Sequence, residues 1–218
     1  PPQLSVLLGQ EKNRIHARLS AEMFHQLAVF NQQLLNSYFP EPLHKRFASK
    51  FSNHPLASEI IHTVASNHVV NHIGLGAVHH LESMVDHSIS DIAGALLVSE
   101  ALLEAQSLRD AIWSDVKDPS LVIALQQQLQ EQLIHFAEEL LRLCPIAKLD
   151  QAWVKKQRSG LARFRDQLLQ EKIAKPEVAG LEAGWLEQLA TLPELAHAAC
   201  ALHISSTHQI PLNRCLTA

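Results

Sequence analysis

Glycine is scarce in this chain, 7 of 218 residues, and runs that alternate Val, Ile or Thr with polar residues are few. Leu, Ala, Gln and Glu dominate instead, so the intrinsic preference is helical and a sheet-based fold is excluded. Charge of one sign is lacking too: 18 basic residues stand against 22 acidic ones, and no basic run is longer than Lys155-Lys156. A nucleic-acid partner needs a concentrated cationic surface, so none is expected. The least charged stretch, Leu195 to Asn213, is interrupted by His197, His203, Ser205, Ser206 and His208. It is too polar to span a bilayer, and no membrane partner is expected. Cysteine is limited to Cys144, Cys200 and Cys215, an odd, widely spaced set without a Cys-x-x-Cys pair. Buried thiols in a reducing, cytoplasmic setting fit that pattern better than disulfides.

Catalytic signatures are equally sparse. The chain has no Gly-x-Ser-x-Gly, no phosphate-binding loop and no cysteine set beside a base. Gly74-Leu75-Gly76 superficially suggests a dinucleotide fingerprint, but no strand precedes it, and Val78 and His79 stand where the third glycine belongs. A helix break or close packing is the better reading, and no cofactor is expected on this chain. The 14 histidines raise the question of a metal, and His68 and His72 lie four apart. A third ligand is not evident, and Val69 stands where a metalloprotease helix carries its glutamate, so packing and surface roles are expected.

What is present is enough apolar material, 47% of residues, to bury a sizeable core. It is organised around the stretch from Tyr38 to Gly74. Pro40 and Pro42 interrupt the incoming helix, and Pro55 suits a helical first turn with Asn53 or His54 near its cap. From there Leu56, Ile60, Val64, Val70 and Ile73 fall on one helical face, and Asn67 and Asn71 continue that stripe. Both amides are therefore expected to be buried and to bond to a neighbouring helix or to the Tyr38-Phe39-Pro40 loop.

The order and spacing of Tyr38-Phe39-Pro40, His54-Pro55-Leu56, Glu59-Ile60-Ile61, Thr63, Asn67, Val70-Asn71 and Gly74 resemble the C-terminal helical region of the large bacterial NAD-specific glutamate dehydrogenases. Pro2-Gln3-Leu4, Val6-Leu7-Leu8 and Lys12 look like that family's proline-led helix just upstream. Asp91-Ile92 and Trp113 lie where its following helices put them. The resemblance covers residues 1–145 and is weaker over 146–218, which could form a helical subdomain. This chain departs from the family pattern at Val78 and His80-Leu81, where an aromatic and an arginine-leucine pair are usual. It departs again at Gly94 and Leu96, where an arginine and a tyrosine are usual. The resemblance implies a parent enzyme that oxidises glutamate to 2-oxoglutarate and ammonia with NAD. It places the nicotinamide site and the catalytic lysine and aspartate in another domain, so no catalytic residue is assigned here. It also implies that the natural chain continues beyond these 218 residues, that the partners are other domains of the same polypeptide, and that the parent is a homo-oligomer.

The remaining chain reads as helices. Leu4, Leu7, Leu8, Ile15 and Leu19 make a first stripe; Met23, Leu27, Phe30, Leu34 and Tyr38 make a second. Leu43, Phe47 and Phe51 anchor a short helix. Ser88 with Asp91 starts a helix that runs to about Gln106, and Ser107 begins the next, with Ile112 and Trp113. Asp118-Pro119 is the clearest start, opening a long amphipathic helix through Val122, Leu129, Phe136 and Leu143 that Pro145 ends. From Leu149 to Lys172 a helix carries one basic face, Lys155 to Arg165, and Leu186 to Leu202 supply packing surface. The expected fold is an all-α, irregular bundle of roughly eight to eleven helices. Two further readings stand beside the glutamate dehydrogenase one: a free-standing helical module binding a protein through the Lys155 to Arg165 face, and a metal-dependent helical enzyme using the histidines.

Overall fold

The computed structural model describes residues 2–26, 34–51, 53–143 and 151–173, together with residues 191–192, 195, 197–199 and 201. Among them every regular element is a helix and no strand occurs, so the fold is all-α. The elements are α1 (Pro2–Gln26), α2 (Glu41–Phe51), α3 (Ala57–His68) with a π-helical turn (Val69–Ile73) directly after it, and α4 (Leu75–Met84). They continue as α5 (Ile89–Leu102), α6 (Ala105–Asp115), α7 (Pro119–Leu143) and α8 (Gln151–Ile173). Residues 34–38 are helical as well. The chain divides into two compact units, residues 1–97 with 144–150 and residues 98–143 with 151–218.

In the first unit α1 packs along α3. Ile15 of α1 and Ile61 of α3 are fully buried, and each such burial is worth about 1.5–3 kcal/mol. The start of α3 is set by His54, not by Pro55. The His54 carbonyl accepts the Ala57 N–H at 2.9 Å, and its ring Nδ1 accepts the Leu56 N–H at 3.1 Å. Pro55 and Leu56 form the preceding turn, and Leu56 is 59% exposed.

The buried stripe of α3 is also one residue away from the expected one. Ala57, Ile61, Ala65, Val69 and Ile73 are buried, while Val64 and Val70 are only half-buried. A repeat of four residues drifts around an α-helix of 3.6 residues per turn. Here the drift ends in the π turn, where the Gly74 N–H reaches back five residues to the Val69 carbonyl at 2.9 Å. The wider turn advances less per residue and keeps Ile73 on the buried side.

Gly74 then takes φ 90°, ψ 150°, a backbone region that is essentially glycine's alone. It breaks the helix and lets α4 begin at Leu75. The Ser88 hydroxyl accepts the Asp91 N–H at 3.1 Å and donates to the Asp91 carboxylate at 2.8 Å, capping α5 as expected. Almost every α5 residue from Ile89 to Ser99 is buried, the mark of a helix apolar on all sides. Gly94 and Leu96, where this chain departs from the resemblance, lie in that buried run.

In the second unit α5 ends at Leu102 and not near Gln106. Glu104 adopts a left-handed conformation, φ 53°, which no α-helix can propagate through, so α6 starts afresh at Ala105. The Asp118 carboxylate accepts the Ser120 N–H at 2.9 Å at the start of α7. Val122, Leu129, Leu133, Phe136, Ala137, Leu140 and Leu141 form the buried face of α7. In α8, Val154, Gln157 and Leu161 are buried and Lys155, Lys156, Arg158 and Arg163 are exposed. Leu192, Leu195, Ala198 and Ala199 are buried, whereas Leu186, Leu189 and Leu202 lie outside the described residues. The deepest charge pair is Arg109 with Glu100, Nη2 to Oε1 2.5 Å, each side chain only 10% exposed.

Candidate interaction groove

The residues singled out in the sequence separate into three places within the first unit. Tyr38, Phe39, Pro40 and His54 form an aromatic clasp. Phe39 stacks on Phe51 with centroids 4.2 Å apart, meets Tyr38 edge-on at 5.3 Å, and lies 6.0 Å from the His54 ring. The Pro40 carbonyl accepts the Leu43 N–H at 2.9 Å, opening α2. This group fixes the turn between α2 and α3, a structural task. Pro55 sits in the exposed turn beside it.

Glu59 belongs to the seam between α1 and α3. Its carboxylate lies 3.5 Å from His16 Nε2, which is also 3.2 Å from the Thr63 hydroxyl. Next along α3, His62 is buried and its Nε2 has no partner among the described residues. Burial holds its pKa below the ordinary histidine value, with His16 adding to the effect and Glu59 opposing it. A second polar seam joins α1 to α4. Glu82 receives the Arg18 guanidinium, Arg14 Nη2 at 3.5 Å and His79 Nδ1 at 3.4 Å. Glu11 accepts Arg14 Nε at 2.7 Å, a hydrogen bond that lowers the Glu11 pKa and raises that of Arg14. Nothing in the sequence analysis picked out this seam. Its signal was the i, i+3 and i, i+4 spacing of Glu11, Arg14 and Arg18 on α1, with His79 and Glu82 on α4.

Asn67, Asn71 and Gly74 lie at the π turn, and here the burial expectation is corrected. Asn67 is half-buried, with its Oδ1 enclosed and without a hydrogen-bond partner among the described residues. Asn71 is exposed. It misses the buried side because the stripe runs through Val69 and Ile73, which leaves Asn71 on the outer face of the widened turn. Together with Gly74 it lines a groove of about 390 Å³, walled by Leu8, Gly9 and Lys12 of α1 and by Val70 and Leu75. The walls are largely apolar, with the Lys12 ammonium and the Asn71 amide as polar groups; no ion pair to Lys12 occurs among the described residues. Val6, Leu7 and Leu8, on the adjoining surface of α1, are 57%, 57% and 46% exposed. Sites of this kind are concave and mostly apolar with few polar groups, and π turns recur at functional positions.

The histidines do not assemble a metal centre in the described part of the chain. The His68 and His72 rings lie 4.7 Å apart, and no group of three or more His, Cys, Asp or Glu residues gathers among the described residues. No described helix is long and apolar enough to cross a membrane.

The arrangement defines an all-helical region whose unusual residues converge on a surface groove, with a polar seam fixing the helix that forms one wall. The family model described as glutamate dehydrogenase, C-terminal, matches residues 1–217, and the chain belongs to that family. The match runs well past residue 145, to the end of the segment where the sequence resemblance is weak. No curated protein and no solved structure matches the chain.

Proposed function

We propose that this chain is the non-catalytic helical region of a large bacterial NAD-dependent glutamate dehydrogenase, supporting the fold and assembly of the enzyme that converts glutamate to 2-oxoglutarate and ammonia. The observation that carries the reading is the family match over residues 1–217. The groove supports it, because an apolar concavity beside exposed Val6, Leu7 and Leu8 suits contact with a further part of the same polypeptide. In this reading NAD belongs to the catalytic part of the parent, which is cytoplasmic and homo-oligomeric, and this region supplies no catalytic group.

Two measurements test it. Deleting the region from the native reading frame is expected to abolish or sharply lower glutamate-dependent NADH formation together with loss of the assembled species on size exclusion. The isolated chain is expected to bind NAD no better than a non-specific control in calorimetry. A native reading frame bounded near Pro1 and Ala218, or micromolar NAD binding by the isolated chain, overturns the reading.

A further inference from the structure

We infer that the groove between α1 and the π turn is the docking site for an apolar segment bearing a carboxylate, supplied by the same glutamate dehydrogenase polypeptide from outside residues 1–218. The inference rests on the proposed function and adds to it the surface and the chemistry of its partner.

The groove's own chemistry selects that occupant. Leu8, Val70 and Leu75 offer apolar walls, and about 390 Å³ of space accommodates large side chains. Lys12 and Asn71 stand at the same groove, with no printed or unprinted partner for either among the described residues. A bare ammonium beside an apolar wall complements a carboxylate next to apolar side chains, and the Asn71 amide can both donate to and accept from a main chain. The wall itself is held in place. Three residues beyond Lys12 comes fully buried Ile15, and Arg14 and Arg18 tie the same helix to Glu82 of α4. The opposite wall is set by the π turn and the Gly74 conformation. A preformed groove loses little ordering entropy on binding. A second copy of this chain is a poorer occupant, since the exposed α1 residues beside the groove, Val6, Leu7 and Leu8, carry no carboxylate to meet Lys12.

The experiment uses the enzyme expressed from the native reading frame. A photoreactive phenylalanine analogue replaces Gly9, where a Cβ meets nothing within 4 Å, and the cross-linked peptide is identified by mass spectrometry. The expected product joins residue 9 to a peptide of the same polypeptide outside residues 1–218 that has Asp or Glu among apolar residues. Adding Lys12→Glu should lower the cross-linking yield at least about tenfold, because like charges are brought together, and Lys12→Arg should retain it. Circular dichroism confirms that each variant is folded; if Lys12→Glu is not, Asn71→Asp, on the opposite wall, replaces it with the same expected loss. Cross-links confined to residues 1–218, cross-links to a second copy's equivalent segment or to an unrelated protein, no cross-link from folded enzyme, or a yield indifferent to Lys12→Glu each overturn the docking site. If activity and assembly still depend on the helical region in those cases, the proposed function stands and only the groove assignment falls.

Discussion

The helix from Ala57 to Ile73 and the helix Pro119–Leu143 each bury one apolar face, but by different means. α7 is regular over its whole length, and its buried positions recur at the threes and fours of an ideal α-helix. The first-unit helix repeats its buried residues every four positions and changes its winding at Val69 to keep them inside. The two units differ in the same way over charge. The ion pairs that tie α1 to its neighbours are partly solvated, with Arg14, Arg18 and His79 between a third and a half exposed. The Arg109–Glu100 pair of the second unit is 10% exposed on both sides. Burial sets the consequence of breaking such a pair: exposed pairs are worth at most about 1 kcal/mol, whereas an uncompensated buried charge costs about 3–5 kcal/mol.

Arg109→Leu is therefore the substitution with the largest expected effect, lowering stability by about 3–5 kcal/mol in denaturant unfolding. Pairing it with Glu100→Leu should recover much of that loss, since the orphaned carboxylate is then removed. A double variant no more stable than the single one would show that the pair is not the source of the cost. In the first unit the sensitive point is backbone conformation. Gly74→Ala should cost about 1–3 kcal/mol, because alanine does not tolerate φ near 90°. An unchanged denaturant midpoint would mean that the π turn relaxes without penalty.

The third effect depends on pH. The His62 pKa is lowered in the folded state from its ordinary value of 6.5, so the unfolded chain binds the proton more readily. Its neutral form contributes stability that is present above about pH 6.5 and is lost as pH falls toward the folded-state value. His62→Gln should flatten the pH dependence of the melting temperature between about pH 7 and pH 5. A variant whose profile parallels wild type would exclude His62 as its source. The smallest effect is expected at Asn71→Leu, within about 0.5 kcal/mol, as for other exposed positions. A loss several times larger would bring back the buried, bridging amide that the sequence pattern suggested.

These contrasts also mark what was legible in the sequence. α7 was readable because Asp118-Pro119 announces its start and its apolar spacing is that of a uniform helix. The Ser88 cap was readable for the same local reason. The stripe of α3 was misplaced because a fixed period assumes a fixed winding, and Val69–Ile73 changes the winding. Leu56 and Val64 fit the assumed face as well as Ile61 and Ala65 do, so residue type could not decide between them. The break at Glu104 was missed because a glutamate carries no turn signal, and its left-handed backbone comes from tertiary packing. Of the groove, Asn71, Gly74 and Lys12 were conspicuous as residues. Their meeting was not, since it joins positions far apart in the chain.

The turn at Val69–Ile73 also behaves as an added letter within a helix. A relative lacking one of its five residues would close the stretch as continuous α-helix, and everything after the deletion would rotate by about 100° relative to the residues before it. The gap in a pairwise alignment with such a relative belongs inside this helix, although loops are where gaps are ordinarily placed. A gap moved instead to the turn before Ala57 would carry Ile61, Ala65 and Val69 out of register and pair buried positions with exposed ones.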